Sequence, residues 1–251
     1  MESTKSIFIF IAIMTGLVAV GLTGLRQSTK TIAETNEEVF NKRAILKSVQ
    51  DYLDKSVADY GDEEVLDIFD SNIKQYVLDM EGNVLEEGEN EDGEGVADEI
   101  DMAKESKKSE EERQLPLYVY NNDKGTFYIL SVRGRGLWDA IWGTVALKED
   151  LVTVAGASFD HAGETPGLGA EIKDNPAFSA QFSDKKIYAY NGEYTAVIVR
   201  KGGARNPEYE VDGISGATVT ADGVTEMLQR GIKYYEPYLE TLRPKNALGM
   251  K

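Results

Sequence analysis

The sequence contains no cysteine and a single histidine, His161. Without cysteine the chain has no ligands for an iron–sulfur cluster or a zinc–thiolate site, and it cannot form a disulfide or use a thiol nucleophile. One histidine excludes metal sites that need a histidine pair, and a Ser-His-Asp triad would depend on that residue alone. We therefore predict no catalytic residue and no metal ligand. Any redox chemistry must be carried by an organic cofactor.

Positive charge is also scarce, because 27 lysine and arginine residues face 44 aspartate and glutamate residues and leave a net charge of −17. No cluster of basic residues appears in the sequence. Binding to the phosphates of a nucleic acid requires such a cluster, so we predict no nucleic-acid partner. The length of 251 residues is enough for one large domain or two small ones.

One long apolar run is present near the N-terminus, where residues 6–25 carry no charge. As a helix these 20 residues would be about 30 Å long, which is the thickness of the hydrocarbon core of a bilayer. A secretory signal is the alternative, but its apolar core usually has only about 7–15 residues. We predict a retained single-pass anchor within residues 1–30.

The basic residues around this run bear on its orientation. Lys5 precedes the run, and four basic residues follow it, namely Arg26, Lys30, Lys42 and Arg43. By the positive-inside rule, this count alone places the large following domain in the cytoplasm.

Alternating apolar and polar residues predict strands in the rest of the chain. Four stretches have this pattern on both sides of a short turn, and each predicts a hairpin: residues 76–86, 115–134, 143–161 and 185–203. Such a series of hairpins indicates an α+β domain with a largely antiparallel sheet and flanking helices. We assign this domain to residues 31–251.

Helical spacing appears before, between and after these hairpins. Residues 31–56 and 62–73 have apolar residues at helical intervals, and Asn175 followed by Pro176 is typical of a helix start. A last helix has one apolar face, formed by Val224, Met227, Leu228, Ile232, Tyr235 and Leu239.

An acidic insertion occupies residues 86–114 and has almost no aliphatic side chains. Such a stretch buries too little apolar surface to offset the entropy lost on ordering, so we predict that most of it is a solvated loop. A negatively charged interaction tail or a cation-attracting face is the alternative.

The sequence DGISGATVTADGV, residues 212–224, places the hydroxyls of Ser215 and Thr218 on a turn of small residues ahead of a helix. One interpretation is an ordinary helix start. Thr218 or Thr220 would then cap the helix, and Asp222 would lie favourably near its positive end.

The second interpretation of the same turn is a binding site. Gly216 has no side chain and Ala217 has only a methyl group, so a large planar or phosphorylated group can approach the backbone. The helix that follows offers free N–H groups and positive potential to a phosphate. The Thr218 hydroxyl could then be esterified to that phosphate.

A glycine-rich loop, residues 161–169, lies between a predicted strand and a helix start. It is either an ordinary turn built on Thr165, Pro166 and Gly167, or a loop whose backbone lies against a flat ring. In the second case Leu168 would supply an apolar contact and Glu164 the one charge.

Four further residues have two interpretations each. His161 either titrates near neutral pH or is a hydrogen-bonded structural residue, and the structural role is the more common one. Trp138 and Trp142 either pack on the sheet, which we favour, or place one indole near a cofactor. Lys201 either neutralises a phosphate or is solvated.

Three stretches together resemble the C subunit of the Na⁺-translocating NADH:quinone oxidoreductase family. Its covalent-FMN-binding domain also occurs in the G subunit of RNF electron-transport complexes. The family's acceptor pattern D-x-x-S/T-G-A-T is matched by residues 212–218. The sequence HAGETPGLGAEI, residues 161–172, is similar to a second family motif, and RGRGLWDAIWGTVAL, residues 133–147, resembles the stretch that precedes this motif in the C subunit.

The resemblance implies that FMN is attached through its phosphate to Thr218 as a phosphodiester. A separate Mg²⁺-dependent flavin transferase would install it from FAD. The residues expected to contact the cofactor besides Thr218 are Ser215, Gly216, Ala217, Glu164, Thr165, Gly167, Leu168 and Lys201.

The resemblance also implies a role and a location. The chain would relay electrons inside a six-subunit, Na⁺-transporting NADH:quinone reductase of the bacterial inner membrane. The implied partners are the other subunits of that reductase, including a second flavin-carrying membrane subunit that passes electrons on to quinone. The flavin domain would lie on the periplasmic side, against the count of basic residues. An RNF-type subunit with the same flavin bond and a membrane-anchored scaffold without cofactor are the alternatives.

Overall fold

The computed structural model describes residues 4–91 and 93–243. The chain divides into two compact units, Met1–Asn41 and Lys42–Lys251. Helix α1, Thr4–Lys47, makes up the described part of the first unit and ends in the second. Among the described residues it is the one helix long and apolar enough to cross a membrane, with a mean hydropathy of 2.4 over a window that is not buried at all. The predicted N-terminal apolar helix is therefore confirmed.

Helix α1 is longer than the sequence pattern indicated. We expected a separate helix within residues 31–56, but α1 continues unbroken to Lys47. Residues 26–47 contain neither glycine nor proline, so nothing in that stretch ends the helix. Tyr52 and Leu53, two apolar residues of that predicted stretch, lie beyond α1, at the end of the 3-10 turn Gln50–Tyr52 and directly after it.

The second unit is built on a sheet of six strands. These are β1 (Ile73–Leu78), β2 (Val84–Glu87), β3 (Leu115–Asn122), β4 (Gly125–Arg135), β5 (Ala140–Leu147) and β6 (Val154–His161). Their order in the sheet is β2-β1-β3-β4-β5-β6, and every neighbouring pair is antiparallel. Three of the four predicted hairpins and the α+β class with a largely antiparallel sheet are confirmed.

Six helices follow α1 in the described part of the chain. They are α2 (Asp62–Asn72), α3 (Met102–Glu105), α4 (Glu171–Asp174), α5 (Pro176–Ala180), α6 (Thr218–Lys233) and α7 (Glu236–Leu242), and further 3-10 turns lie at Val57–Asp59 and Glu110–Glu112. Helix α5 begins as predicted, because the Asn175 side chain accepts a hydrogen bond from Ala177 N–H and Pro176 follows it.

Helix α6 packs closely against the sheet, and glycine permits the approach. A Cβ atom on Gly134 of β4 would lie 2.7 Å from Cβ of Met227. All six residues of the predicted apolar face are buried in the main core. They do not lie on one continuous helix: α6 ends at Lys233 and α7 begins at Glu236, because Pro237 has no N–H to continue the helical hydrogen bonds.

The fourth predicted hairpin, residues 185–203, is wrong in its pairing. Only an isolated antiparallel bridge joins Tyr188 to Tyr194. The strand β7 (Ile198–Arg200) instead pairs in parallel with β8 (Glu210–Asp212). The carboxylate of Glu210 closes the connection between them, since it accepts hydrogen bonds from two backbone N–H groups of the loop and pairs with Arg200.

The acidic insertion is more ordered than a solvated loop. Most of its residues are exposed, but Val96, Ala97 and Glu105 are buried. The Gln75 side chain of β1 accepts the Ala97 N–H at 3.1 Å, and the Tyr118 hydroxyl of β3 donates to Asp98 at 3.0 Å. A few side-chain hydrogen bonds to the sheet therefore hold this segment in place of apolar contacts. The composition did not reveal these hydrogen bonds.

Candidate functional site

The turn between β8 and α6 carries the two hydroxyls of the acceptor pattern. Ser215 is exposed, and Gly216 adopts a φ of +77°, which a residue with a side chain rarely adopts. Ala217 is buried and fixes the turn to the core. Thr218 is the first residue of α6 and is half-buried.

The N-terminus of α6 has no side-chain cap, so the predicted capping by Thr218 or Thr220 is wrong. The N-cap residue is Ala217, whose methyl group cannot accept a hydrogen bond. In the described part of the chain, the N–H groups of Thr218, Val219 and Thr220 have no hydrogen-bond partner. Three backbone donors and the positive end of a helix of 16 residues therefore remain available to an anion.

Thr220 does not cap the helix because its hydroxyl bonds elsewhere. It donates a hydrogen bond of 2.7 Å to Oε2 of Glu164, a carboxylate only 5% exposed. The other carboxylate oxygen of Glu164 accepts the N–H of Trp138 at 2.9 Å. The Glu164 carboxylate, which we predicted as the one charge of the loop, is therefore hydrogen-bonded to other protein groups in the interior.

The glycine-rich loop meets the acceptor turn directly. Within the loop, the carbonyl of Thr165 accepts the N–H groups of Leu168 and Ala170, both at 3.1 Å, and Gly167 has a φ of +74°. This tight turn presents Leu168 outward, and a Cβ atom on Gly216 would lie 2.8 Å from its Cδ2. The two motifs, which are far apart in the sequence, are therefore in contact.

The two tryptophans have different surroundings. Trp138 lies in the turn before β5, is 65% exposed and donates its indole N–H to the Thr165 hydroxyl at 3.1 Å. Trp142 lies in β5, half-buried, with the Arg133 guanidinium 5.4 Å from its ring centroid. The favoured prediction that these residues pack on the sheet is thus wrong for Trp138.

His161 has the structural role that its isolation suggested. Its Nδ1 atom accepts the backbone N–H of Glu164 at 3.1 Å and so holds the start of the glycine-rich loop. Its own backbone N–H donates to the carboxylate of Asp160 at 2.7 Å.

Lys201 is exposed on the turn that follows β7. That turn lies against the start of the acceptor turn, because Gly213 N–H donates to the Arg200 carbonyl at 2.9 Å and a Cβ on Gly213 would lie 3.5 Å from Cα of Lys201. The Arg200 guanidinium and two backbone N–H groups hold the pKa of Glu210 at about 2. Glu210 therefore stays ionised at neutral pH and keeps this turn closed.

The structure brings the residues of the two motifs together and places Lys201 at their margin. Sequence reasoning missed Thr220 as the partner of Glu164, and it missed the two glycines that give the carboxylate room. A Cβ on Gly136 or Gly169 would lie 2.4 Å or 2.2 Å from an oxygen of Glu164. Within residues 4–91 and 93–243, no group of three His, Cys, Asp or Glu side chains is arranged to hold a metal ion.

Comparison with known proteins assigns the chain to a family. A family model described as an FMN-binding domain matches residues 136–233, which include every predicted site residue. The C subunit of the Na(+)-translocating NADH-quinone reductase of Pseudomonas aeruginosa is 34% identical over 201 residues, which cover 72% of this chain and 75% of that protein. This chain belongs to the same C-subunit family. The corresponding protein of Pasteurella multocida is 38% identical over 131 residues, about half the length of each protein.

Solved structures of this family have the same fold. The crystal structure of the C subunit from Parabacteroides distasonis superposes with a TM-score of 0.71 at 33% identity and covers 86% of this chain and 98% of that one. The crystal structure of NqrC from Shewanella oneidensis gives a TM-score of 0.67 at 23% identity over 84% of this chain and 98% of that one, and supports the fold.

Proposed function

We propose that this chain is the FMN-carrying electron-relay subunit of a Na⁺-translocating NADH:quinone reductase, with the FMN phosphate joined to Thr218 as a phosphodiester. The observation that carries the proposal is the uncapped start of α6. Thr218 is its first residue, and the first three N–H groups of the helix have no hydrogen-bond partner among the residues that the structure describes. A phosphate on that hydroxyl would receive donors and positive potential from the helix that bears it.

The acceptor turn packs closely against two neighbouring turns, which fix its backbone beside Thr218. Gly216 and Gly213 carry no side chain there, and a Cβ at either position would meet Leu168 or the backbone of residues 200–201. Lys201, on the adjoining turn, supplies a cation at the margin of the site. Ser215 lies three residues before the helix and is exposed, so an ester on its hydroxyl would have none of these donors in the same position.

An apolar surface adjoins Thr218 and suits a flat ring. Leu168 and Trp138 are 40% and 65% exposed, and Val219, the residue after the acceptor, is 52% exposed. Trp138 is held over the glycine-rich loop by its hydrogen bond to Thr165. In this proposal Leu168 and Trp138 contact the ring, and Gly167 and Thr165 shape the loop beneath it.

FMN supplies the electron-transfer chemistry when it is attached. The chain's own residues hold it, prevent its dissociation and set the polarity around it. No G-x-G-x-x-G dinucleotide motif follows a strand in this sequence, so NADH oxidation belongs to other subunits. The remaining partners are a flavin transferase that attaches FMN and a neighbouring membrane subunit that accepts electrons. The single apolar helix anchors the chain in the membrane, and the flavin domain faces the periplasm.

The attachment is tested by expressing the full chain with its flavin transferase and recording flavin fluorescence after denaturing electrophoresis. We expect a fluorescent band for the wild type and none for Thr218→Val, which keeps the shape of the side chain and loses the hydroxyl. Ser215→Ala is the matched control and should remain fluorescent.

Mass spectrometry locates the modification on the chain. Both hydroxyls lie in the tryptic peptide of residues 206–230, so fragment ions must distinguish them. FMN mass on Thr218 supports the proposal, whereas a fluorescent Thr218→Val band or an unmodified wild-type peptide contradicts it. Co-purification of quinone reductase subunits, rather than RNF subunits, tests the assignment to this complex.

A further inference from the structure

Glu164 is a buried carboxylate that hydrogen-bonds two other segments of the candidate site. It is 5% exposed, and no lysine, arginine or histidine side chain pairs with it in the part of the chain that the structure describes. Burying an unpaired charge is costly unless hydrogen bonds compensate for the lost hydration. Here the compensating donors are the Trp138 N–H at 2.9 Å and the Thr220 hydroxyl at 2.7 Å.

These contacts join three separate segments of the site. The backbone N–H of Glu164 donates to His161 Nδ1, which fixes the loop to the end of β6. One side-chain oxygen binds the turn before β5, and the other binds the first turn of α6. Gly136 and Gly169 leave the room that the carboxylate occupies.

The geometry of the helix relates the direction of Thr220 to that of Thr218. Successive residues of an α-helix are rotated by about 100° around its axis, so Thr218 and Thr220 project about 200° apart. When Glu164 holds Thr220 toward the interior, Thr218 is therefore turned to the opposite, more exposed side of α6. The buried and half-buried states of Thr220 and Thr218 agree with this arrangement.

We propose that Glu164 is a positioning residue that turns the Thr218 hydroxyl to the more exposed side of α6 by holding Thr220 toward the interior. This inference rests on the proposed attachment of FMN to Thr218. Glu164 also places a negative charge next to the first turn of α6. A negative charge near the flavin disfavours its anionic reduced form, so Glu164 should lower the midpoint potential of the attached flavin.

Three variants separate the effect of the hydrogen bond from the effect of the charge. Thr220→Val removes the donor and keeps the side-chain shape, and we expect flavin attachment by the transferase to slow roughly tenfold, as for loss of a hydrogen bond to a charged group. Thr220→Ser keeps a hydroxyl and should restore the rate. Glu164→Gln can still accept from Trp138 and donate to Thr220, so attachment should continue while the midpoint potential becomes more positive.

The double variant tests whether both residues act through one bond. If they do, Glu164→Ala with Thr220→Val attaches flavin no more slowly than the slower single variant, because the shared interaction is already lost. Independent effects that multiply would overturn the proposal. Asp174→Asn removes an exposed carboxylate of α4 and should leave both the rate and the potential unchanged.

Attachment to folded Thr220→Val at the wild-type rate would overturn the positioning role, and an unchanged potential in Glu164→Gln would overturn the electrostatic effect of Glu164. All rates are measured below the melting temperature of each full-length variant, so that loss of folding is not read as loss of positioning. If Thr220→Val does not fold, the attachment rate of Glu164→Ala, which removes the same bond, decides the positioning role: slower attachment supports it and the wild-type rate overturns it. Absence of flavin from wild-type Thr218 contradicts the proposed function instead, so the two failures are distinguishable.

Discussion

Replacing Gly216 by alanine tests the contact between the acceptor turn and the glycine-rich loop. Gly216 has a φ of +77°, and an added Cβ would lie 2.8 Å from Cδ2 of Leu168. Gly167 offers a matched control, because its φ is +74° but nothing lies within 4 Å of its added Cβ. Both alanines meet the same backbone strain, and only Gly216→Ala must displace a neighbour.

The expected losses in the free energy of unfolding follow from this difference. An alanine in the left-handed region costs about 1–2 kcal/mol, reduced by about 0.4–1 kcal/mol because alanine also restricts the unfolded chain. Gly167→Ala should therefore lower the free energy of unfolding by roughly 1 kcal/mol. Displacing the Leu168 side chain from its rotamer adds about 0.5–1.5 kcal/mol in Gly216→Ala. The second variant should accordingly be about 1 kcal/mol less stable than the first.

The assay is denaturant unfolding of the full chain in detergent, followed by tryptophan fluorescence, with flavin attachment measured in parallel. Gly216→Ala should also attach flavin more slowly than Gly167→Ala, since it moves Leu168 beside the acceptor. Adding Leu168→Ala removes the clash and should return the stability of Gly216→Ala to that of the control. Equal stability of the two glycine variants, or no rescue by Leu168→Ala, would refute the contact between the two motifs.

Two further predictions concern topology and pH. The wild type has no cysteine, so a cysteine introduced at one position is the only thiol of the variant. Lys107→Cys should react with an impermeant maleimide in intact cells, whereas Thr4→Cys should react only after permeabilisation. The reverse pattern would contradict a periplasmic domain. The depressed pKa of Glu210, from 4.5 to about 2, means that its stabilising contribution is complete above pH 4.5 and is lost as the pH falls toward 2. Glu210→Gln should therefore be less stable than the wild type near neutral pH, and the difference should shrink across that window; a constant difference would argue against the Arg200 pair.

The strands of the main sheet were predictable because their signal is local. Residues 115–134 alternate apolar and polar side chains around one turn, and a partner strand follows immediately in sequence. The same reasoning failed for residues 185–203, where β7 pairs with a strand that lies beyond the loop of residues 201–209. The determinant there is the carboxylate of Glu210, which bonds the connecting loop, and no periodicity reports such a contact.

The two motifs of the candidate site were evident in the sequence, and the contacts between their residues were not. The small residues 215–218 and the glycine-rich loop were evident from the sequence, and the family resemblance linked them. The direction of Thr220 was not evident, because threonine at a helix start is normally a cap. Its role depends on Glu164, 56 residues away in the chain, and on two glycines whose importance lies in the space they leave empty.

The hydrogen bond between Trp138 and Thr165 gives the chain an optical readout of its own maturation. The sequence has two tryptophans, and only Trp138 is fixed, mostly exposed, at the edge of the proposed flavin site. Oxidised flavin absorbs light in the range where indole emits, so energy transfer would dim Trp138 as soon as the nucleotide is bonded nearby. Attachment can thus be followed in real time in an unlabelled sample, with Trp138→Phe as the reference that measures the contribution of Trp142.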